Sequence, residues 1–94
     1  MRFEWDDGKN TSNKQKHGIT FEEAASVFYD DYARFKSDSE HSGSEERFVL
    51  LGVSSRLRIL VVCHCYREED EVMRIISARE ATTNEKQEYM RFLS

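Results

Sequence analysis

Glu71-Val72-Met73-Arg74-Ile75-Ile76-Ser77-Ala78-Arg79-Glu80, followed by Ala81-Thr82-Thr83-Asn84-Glu85, is the stretch that decides the fold. Val72, Met73, Ile75 and Ile76 favour an extended backbone, because such side chains fit a pleated surface. The next five residues start a helix. Thr82 offers an N-cap, and Glu85, three residues on, completes a capping box. A strand therefore ends in an arginine and turns into a helix. Strand side chains alternate between faces, which sends Arg74 and Arg79, five apart, to opposite sides unless the strand twists or bulges. From composition alone Arg79 is either a structural ion pair at a strand end or a functional cation.

Upstream, residues 46–54 and 57–66 read as two long strands joined near Ser54-Ser55-Arg56. A second hairpin turns at Arg67-Glu68-Glu69-Asp70. Taking each hairpin as symmetric about its turn puts Phe48, Leu50, Val61, Cys63 and Arg74 on one face. The other face then carries Val49, Leu60, Val62, His64 and Arg79. Both faces are apolar at their centres, so a covering layer is expected on each, with a second subunit as one candidate. Nearer the N-terminus, Arg2-Phe3-Glu4-Trp5 alternates like a half-buried strand. A polar helix follows, capped by Asp6 or Asp7 and stopped by Gly18. It is intrinsically weak and must be held by few contacts. Thr20 and Glu23 read as a second capping box, leading a helix whose Phe21, Ala24, Ala25 and Phe28 share one side. Tyr32-Ala33-Arg34-Phe35 reads as a short strand, and residues 37–45, with His41, as a polar loop. The last helix, 83–93, offers Tyr89, Phe92 and Leu93 for packing. The expected architecture is one α+β domain over residues 1–94. It is a curved antiparallel sheet with N-terminal and C-terminal helices packed mainly on one face.

Composition narrows the function. A net charge of −4 disfavours nucleic-acid binding by the whole surface, so an RNA site has to be a local basic patch. Cys63 and Cys65 lie too far apart on one strand for an easy disulfide, and read as reduced thiols. His64 between them points the other way, which argues against a metal site. The charged N-terminus has no signal-peptide character, and residues 59–63 are far too short to span a membrane. A cytoplasmic protein is expected.

In order and spacing, several segments carry a resemblance. They are Phe3-Glu4-Trp5-Asp6, Lys16-His17-Gly18-Ile19 with Phe21-Glu22-Glu23-Ala24, and Glu46-Arg47 before a strand. Arg58-Ile59-Leu60-Val61-Val62 and Arg74-Ile75-Ile76-Ser77-Ala78-Arg79 with Ala81-Thr82 complete the set. The chain resembles the BrnT toxins of type II toxin–antitoxin systems, small bacterial ribonucleases with a RelE-like fold. The resemblance implies an RNA-cleaving toxin that stops translation and needs neither cofactor nor metal. It implies an antitoxin partner, BrnA, with a ribbon-helix-helix domain, and contact with operator DNA only through that partner. A homodimer within the toxin–antitoxin complex is a further possibility. Family members usually continue the Ser-Ala-Arg motif with a lysine and a basic helix, whereas this chain continues with Glu80 and an acidic one. That departure supports an alternative: a weakly active member serving as an antitoxin-binding module.

RNA cleavage needs an activated 2′-OH, a stabilised phosphate and a proton for the leaving 5′-oxygen. Arg79 and Arg74 are candidates for the phosphate, since guanidinium forks match its oxygens. His64, placed on the face of Arg79, is a candidate acid or base, its alternative being a half-buried packing residue. Glu46 and Arg47 offer a carboxylate base and a cation, or simply a surface pair. Lys14, Lys16, His17 and Arg58 are the candidate RNA contacts, with helix capping the alternative for His17.

Overall fold

The computed structural model describes residues 1–38 and 45–93; the loop histidine His41 lies outside them. Strands β1 (Arg2–Glu4), β2 (Arg34–Ser37), β3 (Phe48–Val53), β4 (Ile59–Arg67) and β5 (Val72–Glu80) form one sheet. Its order is β1-β5-β4-β3-β2. The neighbours are antiparallel except β1, which joins β5 in parallel. Helices α1 (Asp7–His17), α2 (Phe21–Ser26) and α3 (Thr83–Arg91) complete the α+β fold, with a 3-10 turn at Val27–Tyr29.

Register departs from hairpin symmetry at two places. Val53 pairs with Ile59 across residues 54–58, where Leu57 is left-handed at φ 61°. A one-residue change in a hairpin loop reverses which residues share a face. Phe48, Leu50 and Gly52 therefore stand with His64, Val62 and Leu60, not with Val61 and Cys63. In β5 the register slips near Cys63 and His64: Ser77 pairs with Cys63, but Ile75 pairs with His64. Ile76 is the extra residue of a bulge, and its insertion returns Arg74 and Arg79 to the same face.

One face of the sheet holds the main core. Leu50, Leu60, Val62, Ile75 and Ala78 pack there against Ile19, Phe21, Ala24 and Val27. Phe3 and Trp5 close its side. On the opposite face α3 brings Ala81 and Tyr89 onto Leu51, Val53, Ile59 and Val61. The helices thus divide between the faces, and α3 covers part of the surface expected to await a second subunit. Asp30 ties these layers together. Its Oδ2 accepts from the Tyr89 hydroxyl at 2.6 Å and from the Val53 amide at 2.8 Å. Burial would raise this carboxyl, but those bonds hold it below the usual range. Gly52 makes the approach possible, since a Cβ there would stand 2.9 Å from Asp30 Oδ2.

The polar helix α1 is held by Asn10, whose Oδ1 accepts from the Phe21 amide at 2.8 Å, and by Asn13. Beyond Glu4, β1 ends and leaves the outer edge of β5 without a strand partner. Asn13 fills that edge. Its amide donates to the carbonyls of Ala78 (2.7 Å) and Ile19 (2.9 Å), and its oxygen accepts from the Ala78 amide at 3.1 Å.

His64 is fully buried in the core face, with the rings of Phe28 and Tyr66 at 4.8 and 5.3 Å. Its Nε2 meets no hydrogen-bond partner among the described residues, and burial pushes its pKa below the usual value. The unfolded chain binds this proton near pH 6.5, whereas the folded chain resists it. His64 thus contributes stability that is complete above about pH 6.5 and lost as pH falls toward the folded pKa. The denaturant midpoint should drop between pH 7 and 5.5, at most about 1.4 kcal/mol per pH unit, and His64→Leu should flatten that slope. An equal slope in both proteins would assign the effect elsewhere.

Candidate functional site

The bulge, the end of β5 and the C-terminus of α1 leave a groove on the face opposite the main core. His17, Arg47, Cys63, Ser77 and Arg79 line it, with Asp38, Val49 and Val61, around a volume of about 280 Å³. Its lining side chains arrive from several elements. Gly18, left-handed at φ 72°, ends α1 by donating to the Lys14 carbonyl at 2.8 Å, which leaves His17 at the groove mouth. Arg47 precedes β3, where its carbonyl accepts from the Asp38 amide at 2.8 Å. Cys63 and Ser77 are paired across β4 and β5 on the floor. Burial, then the nearby Asp38 carboxylate, pushes the Cys63 thiol up, so it stays protonated.

Arg79 stands where the strand meets α3. Its Nη1 and Nη2 donate to Glu85 Oε1 and Oε2 at 2.7 and 3.0 Å. Glu85 also completes the expected capping box, accepting from the Thr82 amide at 2.8 Å. The Arg79 bonds, outweighing burial, bring the Glu85 carboxyl down to about 2. The Nε–H of Arg79 and the second hydrogen of Nη2 take no part in this pair and can still meet a phosphate. The other acids near α3 are also engaged. Glu80 pairs with Lys86 at 3.0 Å, and Glu88 with Lys36 at 2.8 Å.

The remaining candidates disperse. His64 lies behind the sheet, so the shared face with Arg79 expected from symmetric hairpins does not exist. Arg74 does share Arg79's face, contrary to simple alternation, but sits about 15 Å along the strand and pairs with Glu4 at 2.5 Å. Arg58 is engaged structurally. Its Nε donates to Glu23 Oε2 at 3.0 Å, its Nη2 also reaches Glu23, and Ser54 Oγ donates to the same carboxylate at 2.7 Å. Burial would raise Glu23, yet these partners hold it below the usual range. Glu23 is thereby diverted from the second capping box: Thr20 caps α2, and the carboxylate turns to Arg58. Glu46 belongs to a separate depression beside Phe35 and Tyr66. Lys14 and Lys16 are exposed in the last turn of α1, next to His17. Sequence reasoning missed Cys63, Ser77 and Asp38 as groove lining, and nothing in their local pattern points there. Among the described residues no three His, Cys, Asp or Glu side chains cluster as a metal site, and no helix is long and apolar enough to cross a membrane.

Residues 5–85 match the model of a family described as the ribonuclease toxin, BrnT, of type II toxin–antitoxin systems. No curated protein sequence matches the chain. The crystal structure of the Brucella abortus ribonuclease toxin, BrnT, is similar in fold, with a TM-score of 0.67 at 24% identity. The match covers 88% of this chain and 99% of that one. The chain belongs to the BrnT family of ribonuclease toxins of type II toxin–antitoxin systems.

Proposed function

We propose that this chain cleaves RNA in the groove formed by His17, Arg47 and Arg79, without a cofactor, and so inhibits translation. The observation that supports it is the convergence of three nitrogen-bearing side chains from α1, the β3 approach and β5. Arg79 and Arg47 offset charge on the phosphate while the 2′-oxygen bonds to phosphorus and the 5′-oxygen leaves. His17 moves the proton from the 2′-hydroxyl to the leaving 5′-oxygen. Lys14 and Lys16 extend the basic track along α1, which supplies the local patch that an acidic protein needs to hold RNA. The partner is a BrnA-type ribbon-helix-helix antitoxin, which carries the contact with operator DNA, and both act in the cytoplasm.

Expressed alone, the chain should arrest bacterial growth and fragment RNA, and co-expressed antitoxin should reverse both. The purified chain should cleave equally with and without EDTA. Normal growth at verified soluble expression would overturn the toxin reading, and loss of cleavage in EDTA would overturn cofactor independence. A second reading, an attenuated nuclease kept for antitoxin binding, is favoured by Glu85, whose carboxylate occupies one fork of Arg79.

A further inference from the structure

A second surface lies on the core face, beyond the cover of α2, at the β2 side of the sheet. Phe35 stacks on Phe48 with ring centres 4.9 Å apart and planes at 27°. Tyr66 meets Phe48 edge-on at 5.4 Å. Phe35 is 53% exposed although it lies on a strand, and β2 is the outermost strand. An exposed aromatic on an edge strand leaves apolar area in water that one more layer would cover. The rim of this basin is acidic. Glu45, which pairs with Arg67 at 3.0 Å, lines it together with Glu46 and Asp70, and among the described residues no lysine or arginine does.

The turn that presents Asp70 is costly. Glu68, Glu69 and Asp70 have φ of 50°, 57° and 71°, a left-handed run that L residues adopt reluctantly and glycine adopts freely. The chain nevertheless keeps carboxylates at that tip, and backbone strain of this kind concentrates at functional sites. The basin therefore carries carboxylates at its rim, whereas the groove brings Arg47 and Arg79 together beside Asp38.

We infer that the Phe35–Phe48–Tyr66 basin docks a basic segment of the antitoxin, anchored by an apolar side chain among the rings and flanked by Lys or Arg against Glu46 and Asp70. This rests on the toxin–antitoxin reading above. The occupant follows from complementarity: rings supply the central anchor of an interface, and rim charges select the sign of what approaches. Because the basin and the groove lie on opposite faces, this contact leaves the groove residues in place.

The test is calorimetric titration of the cognate antitoxin into wild type, Phe35→Ala and the Glu46→Gln/Asp70→Asn double variant, at low and high salt. Asparagine tolerates left-handed backbone, so the second variant removes charge without new strain. RNA cleavage by each free variant is the parallel readout. Phe35→Ala should weaken binding about tenfold or more. The double variant should weaken it several-fold at low salt and flatten the salt dependence. Both should cleave RNA at the wild-type rate. Unchanged affinity for a wild-type-binding antitoxin would overturn the basin assignment alone, whereas a wild type that binds no antitoxin would overturn the partner reading with it. If Phe35→Ala instead dissociates a self-associated free chain, the occupant is a second copy and the inference fails.

Discussion

Arg79→Ala is expected to slow RNA cleavage about 100-fold, corresponding to about 3 kcal/mol of lost transition-state stabilisation. The guanidinium lines the groove and is held by Glu85, which is itself locked into the cap of α3. Stability should fall by no more than about 1 kcal/mol, since the pair is partly exposed and Glu85 keeps its bonds to the Thr82 amide and hydroxyl-capped turn. Arg79→Lys keeps the charge but loses the fork, so it should recover the rate only in part. Cleavage rate and urea midpoint, measured on both variants, separate chemistry from folding. An alanine variant that is clearly less stable yet fully active per folded molecule would make Arg79 a structural residue.

The largest stability effect should come from Asn13, a residue far from obvious in a helix of Lys, Gln and Ser. Asn13→Ala removes three hydrogen bonds at a buried position and leaves the Ala78 amide and two carbonyls without that partner. Unpaired buried polar groups cost about 1–3 kcal/mol each, and partial hydration will soften the sum, so a loss of about 3 kcal/mol is expected. Because α1 also carries His17 to the groove, cleavage should weaken in the same variant beyond the loss of folded molecules. A urea midpoint within about 1 kcal/mol of wild type, at unchanged m-value, would show that water replaces the amide.

Local patterns were legible wherever short-range physics decides them. The strand of Val72, Met73 and Ile75, the capping box of Thr82 and Glu85, the stop at Gly18 and the amphipathic side of Phe21, Ala24 and Phe28 all depend on neighbours in the chain. So did the family, through the order of its segments along residues 5–85. What stayed hidden depends on register. A loop of residues 54–58 and one extra residue at Ile76 decide which side chains share a face, and neither leaves a local signal. Those two details moved His64 into the core and put Arg74 beside Arg79's face. Partner choice was hidden for the same reason. Glu23, read as a cap, lies 35 residues from the Arg58 it pairs with, and Asn13 lies 65 from Ala78. The sequence by itself determined the elements and the family, because these rest on periodicity and order. Only the tertiary structure decided which cations meet in the groove, because that is set by a parity of strand pairing that a single inserted residue reverses.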